Sequence, residues 1–182
     1  PLRGFLQDLG YIAYPWKQGF NFGPRRGVLD AVREHVQRTH DRHGERVSLI
    51  GWSLGGLYAR EMAKEFAQQV RCVVTLGSPF AGHPRATNAW RFYEMVSGQD
   101  VHDPALIAQL RSTPPVPTTS IYSKTDGVVA WQCSINDDAP RAENIEVHAS
   151  HIGMGMNPLA MFAIADRLRQ DPQRWQRFDV QG

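Results

Sequence analysis

Gly51-Trp52-Ser53-Leu54-Gly55 sets a serine between two glycines directly after the apolar run Val47-Ser48-Leu49-Ile50. A serine hydroxyl is a weak nucleophile. It needs a base, and a backbone that holds its Oγ clear of its surroundings. A tight strand-to-helix turn does the second of these, and glycines two before and two after leave room for strained backbone and close helix–strand approach. Tyr58, Met62 and Phe66, with Leu54 and Leu57 beside them, predict a helix from Leu54 to Gln69, and Arg60, Lys64 and Gln68 fall on its other side. Ser53 then lies at a helix N-terminus, where backbone N–H groups favour negative charge, and the N–H of Leu54 is the natural oxyanion donor. The plain alternative is that Ser53 is only an N-cap.

A nucleophilic serine also needs an acid that orients its base. Asp126, in Ser123-Lys124-Thr125-Asp126-Gly127, follows a strand-like run and is the expected acid; Asp100, Asp103, Asp137 and Asp138 lie in segments that read as solvated. His151, in the loop Ser150-His151-Ile152-Gly153-Met154, is the expected base, with His148 at a strand end as the reserve. Serine, acid, histidine is the chain order of the triad in α/β proteins. The pair His148-x-x-His151 has a metal spacing that suits a helix, not a strand end. His35, His40, His43, His83 and His102 read as surface or helix residues. No metal or cofactor is called for.

The elements that must position these residues alternate. Pro1 to Leu9 reads as a helix closed by Gly10, and Tyr11 to Tyr14 as a strand. A helix over Val28 to His43 turns Leu29, Val32 and Val36 inward. Strands follow at Arg46–Ile50, Val70–Leu76, Thr118–Tyr122 and Asn144–Val147, and Asn157-Pro158 opens a last helix with Leu159, Phe162 and Leu168 on its inner side. Strands alternating with amphipathic helices predict a single α/β domain, with a mostly parallel sheet and helices on both faces. Between Gly77 and Pro117 the alternation breaks. Short helices are expected at Thr87–Val96 and Pro104–Leu110. A small cap over about 80–116, above the ligand-binding edge of the sheet, is the reading favoured over an ordinary connection packed on the side.

Composition narrows the function classes. A net charge of +2 over 182 residues, with basic and acidic residues interleaved, gives no nucleic-acid footprint. No apolar run approaches membrane-spanning length, and no signal peptide or lipidation motif is visible. A cytoplasmic location is slightly favoured, though a leader could lie upstream. Cys72 and Cys133 are the two cysteines, too few for a disulfide framework, and Cys72 reads as a small core residue.

Four stretches together resemble the landmarks of bacterial α/β-hydrolases of the lipase/esterase type: Ile50-Gly51-Trp52-Ser53-Leu54-Gly55-Gly56, Thr75-Leu76-Gly77-Ser78-Pro79-Phe80, Thr125-Asp126-Gly127-Val128-Val129 and Ser150-His151-Ile152-Gly153-Met154. The resemblance spans about Leu2 to Leu168. It implies an ester hydrolase acting on a small-molecule or lipid-like ester, with an acyl group carried on Ser53. Acyl transfer or amide cleavage by the same triad, or a non-catalytic binding module on the same fold, are the alternatives. Trp90, Phe92, Tyr93, Met95 and Trp131 are candidates for an acyl pocket or for plain packing. Members of the family carry an earlier strand and Gly loop that resemble the source of a second oxyanion N–H. This chain begins at Pro1 beyond them, so it is expected to be the C-terminal portion of a longer protein, with a sheet lacking the strand between Tyr11 and Val47.

Overall fold

Neighbours in the described sheet follow chain order, and every pair is parallel. The computed structural model describes residues 1–15, 27–82 and 104–180. Helices α1 (Leu2–Asp8) and α2 (Val28–His43) precede β1 (Val47–Trp52), and α3 (Leu54–Glu65) leads to β2 (Val70–Leu76). Helix α4 (Pro104–Arg111) precedes β3 (Thr118–Tyr122), which is followed by β4 (Ala142–Glu146) and α5 (Pro158–Arg169).

Side chains alternate across a strand, so each face of the sheet collects its own layer. Cys72, Val74, Leu76, Ile121, Ile145 and Val147 pack on one face with Leu6 of α1 and Ala160, Ala163, Ile164 and Leu168 of α5. Val70 and Val73 pack on the other with Val36 of α2 and Ala59, Met62 and Ala63 of α3. The first four residues of β3 are buried although three of them, Thr118, Thr119 and Ser120, are hydroxylic. Each hydroxyl has an acceptor: Thr118 bonds Val116 O, Thr119 bonds Glu143 Oε1 and Ser120 bonds Ser134 O.

Some sequence expectations are corrected. Tyr11–Tyr14 is not a strand. No described strand lies beyond β1 for it to pair with, and extended backbone without a ladder has nothing to gain over water. Tyr14 turns to α2 instead, where its hydroxyl meets His43 Nε2 at 2.8 Å and its ring meets His35 edge-on. β4 starts two residues earlier than expected, because a glutamate, Glu143, is buried inside it.

Arg60 does not lie on an exposed side of α3: it is fully buried. Its Nη1 donates to Asn136 Oδ1 at 2.6 Å, its Nη2 to the carbonyls of Arg111 and Ser112, and its guanidinium covers the Phe80 ring at 3.6 Å. Burial pushes its pKa down to about 9. Phe162 points outward, 53 % exposed, against Phe178, and the inner side of α5 is made largely of alanines that let the helix approach the sheet.

α4 packs through Leu106 and Leu110 against Leu57, Tyr58 and Phe80, so this half of the expected cap joins the core beside α3. The helix expected at Thr87–Val96 lies outside the described residues. Cys72 and Cys133 are both buried free thiols. No helix among the described residues is long and apolar enough to cross a membrane.

Candidate active site

The strand register lines up one end of the sheet: Trp52 pairs with Leu76, Leu76 with Ile121 and Ile121 with Ile145. Ser53, Gly77, the turn over 123–127 and the loop over 147–151 therefore emerge along the same C-terminal edge, where parallel sheets bind ligands.

β1 runs on through Gly51 and Trp52, which confines the turn to Ser53. Ser53 adopts φ 54°, ψ −127°, and is the only non-glycine residue at positive φ among the described residues. A conformation of this kind costs about 1–3 kcal/mol and persists only where the surroundings impose it. Here they do. The Ser53 N–H donates to Leu76 O at 2.8 Å, and its carbonyl accepts from the Gly56 N–H at 3.0 Å. A Cβ on Gly51 would stand 2.4 Å from Gly56 Cα, and one on Gly56 would stand 1.9 Å from Ser78 Oγ. The close approach of α3 to the sheet thus depends on Gly51 and Gly56. Gly55, the second glycine of the motif, has no described atom within 4 Å of such a Cβ, so the room expected there is needed one residue later.

Ser53 occupies the N-cap position, yet its side chain bonds no helical N–H. Capping therefore does not explain it. Its hydroxyl has no hydrogen-bond partner among the described residues, and neither has the Leu54 N–H at the start of α3.

Asp126 and His151 are brought together. Asp126 Oδ2 lies 2.7 Å from His151 Nδ1, and both side chains are buried. Gly127, at φ 79°, folds the turn so that the N–H groups of Val128 and Val129 donate to Asp126 Oδ1 at 2.9 and 2.7 Å. The His151 N–H donates to the Asp126 carbonyl at 2.9 Å. A carboxylate can only accept, so Nδ1 carries a proton, and in the neutral tautomer this leaves Nε2 as the acceptor. Nε2 has no hydrogen-bond partner among the described residues. His148 is exposed and takes no part. Asp137 pairs with Arg111 at 2.6 Å, which holds its carboxyl below the usual range, and Asp138 is nearly fully exposed. Asp100 and Asp103 lie outside the described residues, as do Trp90, Phe92, Tyr93 and Met95. Trp131 stacks on Tyr122 with ring centroids 5.8 Å apart.

Ser53 and His151 share the edge without a mutual hydrogen bond. Nucleophile–base bonds often close only with substrate in place. Two residues that sequence reasoning did not assign lie against His151. Gly77, at φ 52°, passes so close that a Cβ would lie 2.9 Å from Asp126 Oδ2 and 3.2 Å from His151 Nδ1. Trp52 donates its indole N–H to the His151 carbonyl at 3.1 Å, and the two rings lie 5.2 Å apart. Gly77 had a signal, as the glycine ending the strand after α3; Trp52 had only its place beside the serine. No group of three or more metal-ligating side chains converges among the described residues.

Such an arrangement can take a proton from a hydroxyl and stabilise an oxyanion at a helix start. Comparisons with known proteins bear on the fold that carries it. No curated protein matches the chain. Among solved structures, a monoacylglycerol lipase from Paleococcus ferrophilus superposes with a TM-score of 0.56 at 14% identity, covering 77% of this chain and 74% of that one. The enol-lactonase from Burkholderia xenovorans LB400 gives 0.53 at 16% identity, covering 81% and 75%. A lipase-esterase related protein from Clostridium acetobutylicum ATCC 824 gives 0.51 at 14% identity, covering 80% and 74%. At these identities the likeness is one of fold. The family model described as "Alpha/beta hydrolase family" matches residues 2–180, nearly the whole length, and the chain belongs to that family.

Proposed function

We propose that the chain is a serine hydrolase of carboxylic esters, with Ser53 as nucleophile, His151 as general base and acid, Asp126 as the orienting acid and the Leu54 N–H as an oxyanion donor. The observation that carries this reading is the strained, uncapped Ser53 on the same sheet edge as a buried Asp126–His151 pair. A serine that served only the helix would relax to ordinary backbone and cap it. In the reaction, Ser53 Oγ bonds to the acyl carbon as Nε2 of His151 takes its proton. The tetrahedral oxyanion rests on the Leu54 N–H. The imidazolium returns the proton to the departing alkoxide, and water repeats the cycle on the acyl-enzyme. Ester chemistry is supported by neighbours named as lipases and a lactonase. Acyl transfer to another alcohol uses the same groups, and products formed with added alcohol separate the two.

Fluorophosphonate labelling of the chain and of Ser53→Ala, followed by a p-nitrophenyl ester chain-length series, tests the proposal. Labelling is expected at Ser53, and the variant should lose about 10⁶-fold in kcat. Undiminished labelling of Ser53→Ala would refute the assignment.

A further inference from the structure

Trp52 is a large aromatic residue left 47 % exposed at the end of β1. Its specific contacts converge on one residue 99 positions further along the chain, His151. The indole N–H donates to the His151 carbonyl at 3.1 Å, while the His151 N–H is held by the Asp126 carbonyl at 2.9 Å. Both backbone groups of His151 are thus committed, one to β1 and one to the turn after β3. The imidazole is held at Nδ1 by Asp126, and the indole packs beside it with ring centroids 5.2 Å apart and the planes tilted by 35°. Asp126 anchors one end of the ring; Trp52 limits its tilt. Because Trp52 precedes Ser53, the same contact links the strand that carries Ser53 to the loop that carries His151.

An indole near a ring that becomes cationic does more than pack, since the aromatic face attracts positive charge. Among the described residues, the other charges about His151 are few. Asp126 faces it from the turn after β3, while Lys124 of that turn is drawn onto Glu146 at 2.9 Å. Gly51 and Trp52 at the end of β1, Leu76 and Gly77 at the end of β2, Leu54 to Leu57 in the first turn of α3, and 149–156 apart from His151 itself contribute no titratable side chain. His148 is exposed.

We propose that Trp52 is a positioning residue for His151, fixing the imidazole against Asp126 and favouring its cationic form as it takes the Ser53 proton. This rests on the reading of Ser53, Asp126 and His151 given above.

The test measures kcat, KM and their pH dependence for p-nitrophenyl acetate hydrolysis, with Tm alongside, in the wild type, Trp52→Leu and Trp52→Phe. Trp52→Leu removes both the donor and the aromatic face. It should lower kcat about tenfold and leave KM within about twofold. The acid limb of kcat should move down by about half a pH unit. Trp52→Phe keeps a face but no N–H, so it should lose about threefold in kcat with the acid limb in place. Effects confined to KM, or an unchanged kcat and acid limb in Trp52→Leu, overturn the proposal. If Trp52→Leu melts within the assay range, Trp52→Phe decides: an unchanged kcat overturns it. Fluorophosphonate labelling of His151→Ala separates the two levels. Persistent labelling defeats the underlying assignment of the base. Labelling lost in His151→Ala but unaltered kinetics in both Trp52 variants defeats the role of Trp52 alone.

Discussion

Asp126 and Glu143 are both buried carboxylates that meet a basic side chain, and they differ in what remains free once those bonds are made. Glu143 Oε1 accepts from Arg167 Nη1 at 2.9 Å and Thr119 Oγ1 at 2.8 Å, and its Oε2 accepts from the Phe178 N–H at 2.7 Å. Arg167 is further bound by Asp166 and by the Gln176 carbonyl. That network ties β3, β4, α5 and the segment after it, and it is closed. Asp126 is as well satisfied, with two N–H groups on Oδ1 and His151 on Oδ2, but its partner's Nε2, on the edge that bears Ser53, has no bond among the described residues. The positive-φ residues near the two carboxylates also fall on one side only: Ser53, Gly77 and Gly127 surround the Asp126 pair. A saturated buried pair holds structure together. One with an open position beside strained backbone is equipped for chemistry.

The largest expected contrast is between amide replacements at the two carboxylates. Asp126→Asn keeps the shape but no longer enforces the Nδ1–H tautomer, and should reduce kcat about 10⁴-fold with Tm nearly unchanged. Glu143→Gln takes from the buried Arg167 one of the two carboxylates it pairs with and should cost about 2 kcal/mol of stability, while kcat of the folded fraction stays within about twofold. Denaturant melts and steady-state kinetics on both variants decide. A swap of these effects would erase the distinction between a closed network and a working one.

A smaller effect separates steric support from backbone strain. In Gly77→Ala the new methyl would press on Asp126 Oδ2 and His151 Nδ1, and should reduce kcat about 100-fold, as small misplacements of reacting groups do. Gly127→Ala meets nothing within 4 Å among the described residues and should cost only about 1 kcal/mol for its positive φ, leaving kcat within about threefold. Equal kinetic losses in the two would show that the turn, not the packing of Gly77, aligns the pair.

Much of the architecture was legible because it is local. Strand and helix periods gave away β2, β3 and α2, and turn residues marked where Asp126 and His151 leave the sheet. What sequence patterning missed depends on distant partners. Arg60 sits on a stripe that reads as solvent-facing, and Asn136, Phe80 and the carbonyls at the end of α4 make its burial tolerable. Phe162 fits the inward period of α5, but the sheet takes alanines there. Tyr11–Tyr14 has strand-forming residues and no described ladder to join. At the site, Ser53 stood out by its motif, whereas the need for Gly56 rather than Gly55 follows from where Ser78 packs.

The smallest effect concerns the strain itself. If the Ser53 backbone is held at positive φ by its surroundings, a residue without a Cβ should relieve it. Ser53→Gly is expected to gain about 1 kcal/mol, the released strain less the added freedom of the unfolded chain. For a domain of this size that raises Tm by about 3 °C. Ser53→Ala loses the same hydroxyl but keeps a Cβ, and should melt within about a degree of the wild type. Both lack the hydroxyl, so the difference between them isolates conformation from chemistry. A Gly variant no more stable than the Ala variant would mean that the turn at Ser53 stores no strain, and that the open side of the comparison is set apart by its unpaired groups alone.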